Sequence, residues 1–311
     1  MKISFITTIY NEEQTIKPFI DSILKQTKVP DEIIIVDGGS RDGTVEKIKD
    51  IRFKIKDSKS KFVVLVKKGN RSVGRNEAIK KATGDIIVCS DAGNILDKNW
   101  VKNIISPFAN SKIDVVAGYY QGLAKNIFQK CLIPYVLVMP DKINPNAFLP
   151  ATRSIAFTKS IWGKVGGFNE KFSHNEDYAF AIALQKINAK IIFKKDAVVY
   201  WIPRTTFKQS FVMFFRFAYG DAEAKIYRPK VFLLFLRYII GIVLLILFFI
   251  TKSLFIGETL LFILVLYLLW AVAKNYRYVN DWQAFYYLPL LQIISDAAVL
   301  SGSIAGYLSK A

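Results

Sequence analysis

Short apolar runs alternate with segments of helical character through the first part of the chain. The helix signals fall at residues 13–25, 42–49 and 72–82; the second segment begins at a capping Asp42 and the third ends before Gly84. The runs that predict strands are residues 3–9, 32–36, 62–66 and 85–89. This alternation is typical of an α/β domain with a mostly parallel sheet.

The pattern between residues 113 and 227 is less regular. Residues 127–146 are apolar but contain three prolines, which predicts a loop or a broken helix. Residues 206–227 combine phenylalanines with basic side chains at helical spacing. Two alternatives fit them: a helix lying in a membrane interface, or one packed against the α/β domain. The other elements predicted here are a strand at 113–120, a helix at 175–186 and strands at 190–194 and 197–201.

Three long apolar segments follow residue 230. The first two, 231–250 and 254–273, each contain a single charged residue and match the roughly 20 apolar residues that a helix needs to cross a bilayer. The third, 285–308, contains Pro289 and Asp296. For this segment a spanning helix and a broken or re-entrant one both remain open.

These patterns predict three parts. They are an α/β domain (1–205), an amphipathic interfacial region (206–230) and a membrane domain with two to three transmembrane helices (231–311). Lys274 and Arg277 follow the second apolar segment, and basic connections favour the cytoplasmic side. The N-terminal apolar run is too short for a signal peptide. We therefore expect a multi-pass protein of the cell membrane whose α/β domain is cytoplasmic.

Charge and composition narrow the class of ligand. The chain has 311 residues, 52% of them hydrophobic, and a formal net charge of +18. Residues 231–311 contribute five Lys/Arg against three Asp/Glu, so nearly all of this charge lies before them. A basic domain attached to a membrane favours phosphorylated ligands and anionic lipids over nucleic acid, for which the chain carries no motif. Two cysteines and one histidine argue against a disulfide framework and a multi-histidine metal site.

Polar clusters stand where the first, second and fourth predicted strands end, at residues 8–12, 37–40 and 91–94. Because ligands of open α/β sheets bind outside the carboxyl ends of the strands, these clusters predict a shared site. In the second cluster two glycines allow a tight turn that brings backbone amides close to a ligand. Asp37 is placed there to accept hydrogen bonds from a base or a ribose, although an ordinary turn has the same composition.

Three further groups carry candidate chemistry. Arg71 and Arg75 lie one turn apart at a predicted helix N-terminus, which suits a diphosphate but also fits a solvated capping turn. Asp91 ends a strand, where a carboxylate can hold a divalent cation that bridges two phosphates. Glu176 and Asp177 open a helix. Such a pair can serve as a general base with its positioning partner, or can simply place favourable charge at the helix N-terminus.

Together these motifs resemble the family 2 glycosyltransferases with the GT-A fold. The resemblance covers about residues 1–205, and the trailing apolar helices are similar to those of the membrane-bound members. It implies a Rossmann-like nucleotide-sugar-binding domain followed by transmembrane helices. The residues that carry it are 8–12, 37–44, Arg75 with Asn76, 91–93, the Gly-Gly-Phe turn at 166–168, and Glu176 with Asp177.

The resemblance also implies roles for individual residues. Asp177 is implied to be the catalytic base, with Glu176 beside it. Arg71 and Arg75 are implied to face the diphosphate of the donor. The nucleoside is implied to be held by Thr8, Tyr10, Glu12 and Asp37. With the turn residues and the strand-end carboxylate, the predicted donor site consists of Thr8, Tyr10, Glu12, Asp37, Gly39, Ser40, Arg71, Arg75 and Asp91.

Two departures from the family pattern concern a metal. The family usually has Asp-x-Asp where this chain has Asp-Ala-Gly at 91–93, and Tyr-Trp at 200–201 replaces a histidine often found after the late strand. One alternative is a divalent cation, Mg²⁺ or Mn²⁺, held by Asp91, the diphosphate and water. The other is charge neutralisation by Arg71 and Arg75 without a metal.

The predicted function is inverting transfer of a sugar from a UDP- or GDP-linked donor to a polyprenyl phosphate or lipid-linked glycan. Asp177 then removes the proton of a hydroxyl acceptor, or orients a phosphate acceptor. Arg153, Arg204 and Arg216 are candidates for pairing with the lipid phosphate. The alternative class, motivated by Gly93, is a catalytically degenerate GT-A domain that serves as a nucleotide-sugar-binding or scaffold subunit. A processive synthase needs a translocation channel, for which three apolar segments are few.

Overall fold

The computed structural model describes residues 1–54 and 60–309 and divides into two compact units. The sheet unit comprises Met1–Leu123 and Val138–Ile202, and the helical unit comprises Ala124–Leu137 and Pro203–Ala311. The last two residues of the predicted membrane domain lie outside the described residues. The predicted three-part division remains a prediction, and the contacts assign residues 124–137 to the helical unit.

A mixed sheet forms the centre of the sheet unit. Its strands are β1 Ile3–Ile9, β2 Glu32–Asp37, β3 Lys61–Val66, β4 Ile86–Cys89, β5 Asn94–Leu96, β6 Val115–Gly122, β7 Ile155–Thr158 and β8 Ile191–Trp201, in the spatial order β3-β2-β1-β4-β7-β6-β8-β5. The first four strands in this order run parallel. β7 is antiparallel to both of its neighbours, β6 and β8 are parallel, and β5 is antiparallel to β8. The sheet is therefore parallel in the half that the sequence predicts well, and mixed beyond it.

The helices complete both units. In chain order they are α1 Ile16–Leu24, α2 Thr44–Lys54, α3 Arg71–Lys81, α4 Trp100–Ile105, α5 Ile127–Val136, α6 Lys159–Lys164, α7 Glu176–Lys186, α8 Phe207–Glu223, α9 Pro229–Thr251, α10 Leu254–Ala273, α11 Tyr276–Val279 and α12 Ala284–Leu308. Short 3-10 turns lie at Ser106–Ala109 and Pro140–Lys142. α5 and α8 to α12 belong to the helical unit, and the others to the sheet unit.

Strand β2 shows why the parallel strands of the sheet could be predicted from the sequence. Every one of its residues is buried, because apolar side chains pack on both faces of the sheet. Ile33 and Ile35 join the cluster that contains α1, whereas Ile34 and Val36 join the cluster that contains α3 residues. A strand buried on both faces is a continuous apolar run in the sequence. Full burial of each isoleucine contributes about 1.5–3 kcal/mol.

The second half of the sheet unit departs from the sequence prediction. The two strands predicted at 190–194 and 197–201 form one strand, β8. Its pairing with β6 is interrupted, because Gly118 lies opposite Lys194 while the next residue, Tyr119, lies opposite Val198. The extra residues form a β-bulge, and their polarity made one strand look like two. The short elements β5, β7, α4 and α6 were not predicted, since runs of three to six residues show no usable periodicity.

Three helices of the helical unit, within the described residues, are long and apolar enough to cross a membrane. α9 has 23 residues, α10 has 20 and α12 has 25. α9 and α10 form a tight hairpin around Lys252, whose backbone is left-handed with φ 52°. α12 is continuous in spite of Pro289. The predicted loop or broken helix at 127–146 is α5, which continues through Pro134, followed by a 3-10 turn.

Candidate active site

The loop after β2 is built around the carboxylate of Asp37. This side chain is buried and accepts hydrogen bonds from the backbone N–H of Gly39 at 3.1 Å and of Ser40 at 3.0 Å. The Ser40 hydroxyl donates to the same carboxylate at 2.5 Å. Gly39 has φ +98°, a conformation that glycine adopts without strain. Asp37 therefore fixes the turn at the carboxyl end of its strand.

The loop after β1 is bonded to this turn. Asn11 donates its backbone N–H to the Ser40 hydroxyl and accepts from the Arg41 N–H through its side-chain oxygen, both at 2.9 Å. The backbone N–H of Glu12 donates to the Thr44 hydroxyl at 2.8 Å. Parallel pairing of β1 with β2 brings these loops to the same edge of the sheet. The predicted donor residues of both loops thus lie together, with Thr8 half-buried and Tyr10 exposed.

Arg75 is the centre of a buried ionic cluster. Its side chain is 2% exposed, and its Nη1 donates to Glu176 Oε1 at 2.5 Å while Nη2 donates to Asp91 Oδ1 at 2.8 Å. Its guanidinium also lies 5.5 Å from the centre of the Phe168 ring. The fork of Arg75 is thus occupied by two carboxylates. Arg71, by contrast, is exposed at the start of α3.

The three carboxylates of this region do not titrate alike. Burial is the largest influence on Glu176 and on Asp91 and opposes their ionisation, but the charges of Arg75 and Arg71, together with the hydrogen bond from Arg75, outweigh it and hold the pKa of each below its usual value. The pKa of Asp177 is raised, first by burial and then by the negative charges of Glu176 and Asp91. Among the described residues Asp177 has no cation within ion-pairing distance. A carboxylate with a raised pKa is the kind of group that serves as a general base.

Asn76 of α3 and Asn70, which caps this helix, hold the loop that leads to these carboxylates. Asn76 donates to the Phe168 carbonyl at 2.8 Å and accepts from the Phe168 N–H at 2.9 Å. Gly167, with φ +79°, has room only for hydrogen, because a Cβ there would lie 2.9 Å from the Asn76 side-chain oxygen. The side chain of Asn70 donates to the carbonyls of Glu170 and Phe172. The sequence motifs at 75–76 and 166–168 are therefore two sides of one contact.

Gly93, which stands where the family usually has its second aspartate, has a backbone conformation that favours glycine. Gly93 has φ +82°, where an L-residue is strained, and a Cβ there would lie 3.5 Å from Glu12 Oε2. The described residues contain no group of three His, Cys, Asp or Glu that could hold a metal ion. Asp91 is 37% exposed, so one carboxylate remains accessible beside its bond to Arg75. This donor set fits a cation held by one carboxylate and the phosphates of a ligand, as Mg²⁺ is held in many phosphoryl-transfer sites.

Two aromatic residues to which the sequence analysis gave no role adjoin this region. The guanidinium of Arg153 lies 5.0 Å from the centre of the Tyr120 ring and 5.4 Å from that of Trp201. The charge of Arg153 contributes to the lowered pKa of Asp91, and that of Asp177 contributes to the raised pKa of Tyr120, after burial. Arg153, predicted for the acceptor, is thus electrostatically coupled to the carboxylate cluster. No motif marks Tyr120, and Trp201 was noted only as part of the replacement of a family histidine. Their shared contact with Arg153 was not predictable, because β6 and β8 come together only in the sheet.

The other two predicted acceptor residues belong to the helical unit. Arg204 precedes α8 and Arg216 lies within it, and both are exposed. Their role stays a prediction.

Comparison with known proteins decides the family. The model of glycosyl transferase family 2 matches residues 4–132, and that of glycosyl transferase family group 2 matches residues 86–275. The chain belongs to the family 2 glycosyltransferases. The predicted family and fold, a GT-A domain followed by long apolar helices, are confirmed.

Two curated relatives and one solved structure illustrate the similarity. A poly-β-1,6-N-acetyl-D-glucosamine synthase of Staphylococcus epidermidis is 34% identical over 117 residues, 37% of this chain and 28% of the relative, so the match covers under a third of its length. A UDP-Glc:α-D-GlcNAc-diphosphoundecaprenol β-1,3-glucosyltransferase of Escherichia coli is 28% identical over 60% of this chain and 70% of the relative. A mannosyltransferase from Pyrobaculum calidifontis, solved with GDP-Man and Mn²⁺, has a TM-score of 0.66 at 16% identity, covering 100% of this chain and 88% of that one.

Proposed function

We propose that this glycosyltransferase transfers a sugar, with inversion, from a nucleoside-diphosphate donor to an acceptor carried by a membrane lipid. The observation that carries the proposal is the cluster in which Arg75 binds Glu176 and Asp91 next to Asp177. It supplies a carboxylate of raised pKa beside cationic side chains, as base-assisted displacement of a diphosphate requires. The long apolar helices and the diphosphoundecaprenol acceptor in the name of the Escherichia coli relative support a lipid-linked acceptor.

The proposed reaction is a single displacement. The acceptor oxygen attacks the anomeric carbon from the side opposite the nucleoside diphosphate, whose bond to that carbon breaks. Asp177 takes the proton of a hydroxyl acceptor; a phosphate acceptor is already anionic, and Asp177 then orients it. Arg71, exposed at the start of α3, is proposed to face the diphosphate. Arg75 is proposed to hold Glu176 and Asp91 in place, which revises its predicted contact with the donor.

A divalent cation fits this site through a single carboxylate. Asp91 is the residue proposed to hold Mg²⁺ or Mn²⁺, together with oxygens of the diphosphate and water. Such an ion would supply charge neutralisation to the leaving diphosphate. The Mn²⁺ in the Pyrobaculum calidifontis structure supports a cation in the fold, and with glycine at position 93 the ion would rely on Asp91 as its protein carboxylate.

The test is transfer into lipid. Detergent-solubilised protein is incubated with a lipid extract and a panel of radiolabelled UDP- and GDP-sugars, with and without EDTA, alongside the Asp177→Asn variant. We expect one donor to yield a labelled lipid, and Asp177→Asn to form it at least about 100-fold more slowly. Loss of product in EDTA, restored by Mn²⁺ or Mg²⁺, supports the cation. Nucleotide binding without transfer or donor hydrolysis for any sugar would overturn the proposal in favour of a binding subunit, which the glycine at position 93 motivates.

A further inference from the structure

The last helix, α12, contacts α8 far more extensively than it contacts α9 or α10. Its Gly302 and Gly306 face the backbone carbonyls of Phe215 and Tyr219, and a Cβ on Gly306 would lie 2.9 Å from the Ala222 Cβ. Two glycines four residues apart permit this close approach of the helix backbones. The contact order, with Phe215 against Gly302 and Tyr219 against Gly306, shows that the two helices run in the same direction.

α8 cannot cross the hydrocarbon of a bilayer. It has 17 residues, and Lys208 and Arg216 are exposed along it while Asp221 bonds to Arg228 just beyond its end. Charges spread along a helix are expensive in hydrocarbon but are tolerated where the helix lies among headgroups. Since α12 is packed along α8, both helices must lie at a similar depth.

The position of α9 fixes the side of the bilayer. Five residues, 224–228, join the end of α8 to the start of α9, and such a link spans at most about 20 Å when fully extended. Gly306 lies against the last turn of α8 and therefore close to the face on which α9 enters the bilayer. A spanning α12, about 37 Å long, would instead end at the opposite face, with the hairpin at Lys252.

The contacts of α12 with the α9–α10 hairpin agree with this placement. Three hydrogen bonds between them converge on Asp296, which accepts from Arg237 and Tyr238 of α9 and from Tyr267 of α10. Little of the hairpin is buried elsewhere: the 18 most apolar consecutive residues of α9 include no buried residue, and about a tenth of those in the corresponding stretch of the second span are buried. If α12 spanned the bilayer, it would run alongside α9 and α10 and contact them along their length. If α12 instead crosses the hairpin near the ends where α9 begins and α10 finishes, it contacts the two helices at one level only.

We propose that α12 lies with α8 in the interface on the side where α9 begins, so that α9 and α10 are the spans within residues 203–309. The exposed face of α12, opposite the face that packs on α8, is apolar along its whole length and would rest on the acyl chains. It comprises Tyr286, Ile293, Ile304 and Leu308. The exposed cations Lys208 and Arg216 of α8 would lie among the lipid phosphates.

Cysteine labelling tests the topology directly. The native Cys89 and Cys131 are buried, so the parent chain gives the background for a membrane-impermeant maleimide. Ser309→Cys probes the end of α12, Ser253→Cys the hairpin, and Lys186→Cys the exposed end of α7. In sealed vesicles of known orientation, we expect Ser309→Cys to react in the same orientation as Lys186→Cys, and Ser253→Cys to react only in the opposite one. Labelling of Ser309→Cys together with Ser253→Cys would mean that α12 spans, and the proposal would be wrong.

A measurement of depth in the bilayer also tests whether α12 lies in the interface, and it does not depend on which side of the membrane a label reaches. Nitroxide labels on Ile293→Cys and Ile304→Cys lie eleven residues apart, about 16 Å along the helix axis. Relative accessibility to oxygen and to a water-soluble nickel complex should give both labels the same depth, whereas a spanning helix would separate them by most of that distance. Neither readout depends on sugar transfer. A spanning α12 would therefore overturn this topology without affecting the proposed function, and an absence of transfer would overturn the proposed function without affecting the topology.

Discussion

The sheet unit and the helical unit each contain a buried carboxylate bonded to an arginine, but the two clusters differ in what they leave open. In the helical unit Asp296 is almost fully buried and accepts from Arg237, Tyr238, Tyr267 and Gln292. In the sheet unit Arg75 is shared between Glu176 and Asp91, and the adjacent Asp177 has a raised pKa. A carboxylate saturated with donors holds helices together, whereas one left beside two other acids is poised to take a proton.

The largest expected effect is the loss of turnover on replacing Asp177, which belongs to the cluster of the sheet unit. Asp177→Asn keeps the shape of the side chain but removes the base, so turnover should fall by roughly 10²–10⁴-fold. Nucleotide affinity, measured by calorimetry with UDP and GDP, should remain close to that of the parent. The matched control is Asp196→Asn, the same change on a carboxylate that is 70% exposed in the same unit. Loss of nucleotide binding in Asp177→Asn, with the control intact, would contradict its role as the base.

Arg75→Lys tests whether the buried arginine positions carboxylates or holds the donor. Lysine retains the charge but cannot bond Glu176 and Asp91 in the fork geometry. We expect kcat to fall by about 10–100-fold with a small change in nucleotide affinity, as for other supporting residues of active sites. Arg71→Lys should show the opposite pattern, weaker nucleotide binding with kcat nearly retained. If Arg75→Lys instead mainly weakens binding, the original prediction of a diphosphate contact is restored.

Asp296→Asn should affect stability rather than chemistry. It replaces the buried carboxylate that accepts from Arg237, Tyr238 and Tyr267 by a neutral amide, and losing these charge-assisted hydrogen bonds is destabilising. In detergent the apparent melting temperature should fall by on the order of 5 °C. Transfer per folded molecule should be unchanged. Glu258→Gln, at an exposed position of α10, is the control. A loss of transfer at an unchanged melting temperature would give the helical cluster a functional role.

The smallest effect is a shift of the acidic limb of the pH profile. Asp177 must be deprotonated to act, and its pKa is raised above the ordinary 3.8 by burial and by the charges of Glu176 and Asp91. With a hydroxyl acceptor, kcat/KM should therefore fall as the pH drops through this raised value. Glu176→Gln removes one of the two negative neighbours, so the limb should move to lower pH. The measurement is the pH dependence of kcat/KM for the parent, for Glu176→Gln and for the control Asp196→Asn. If the acidic limb of Glu176→Gln coincides with that of the parent, a group other than Asp177 titrates.

The parallel half of the fold and much of the candidate site could be predicted from the sequence. β1, β2 and β4 are apolar runs that end in polar clusters, and local chemistry such as the Asp37 turn survives intact in the structure. The contact between Arg75 and Glu176 could not be predicted, because it joins residues 101 positions apart. The same holds for the contacts of Tyr120 and Trp201 with Arg153, which arise only through the pairing of β6 with β8.

By itself, the sequence determined the α/β character, the apolar segments and the identity of the carboxylates, since burial pattern and turn chemistry are local properties of the chain. Tertiary structure alone decided which charges meet. It turned Arg75 towards Glu176 and Asp91, and it set Gly302 and Gly306 of α12 against α8. Hydropathy records how apolar a segment is, but not the direction in which it lies. That direction depends on the helices it packs against.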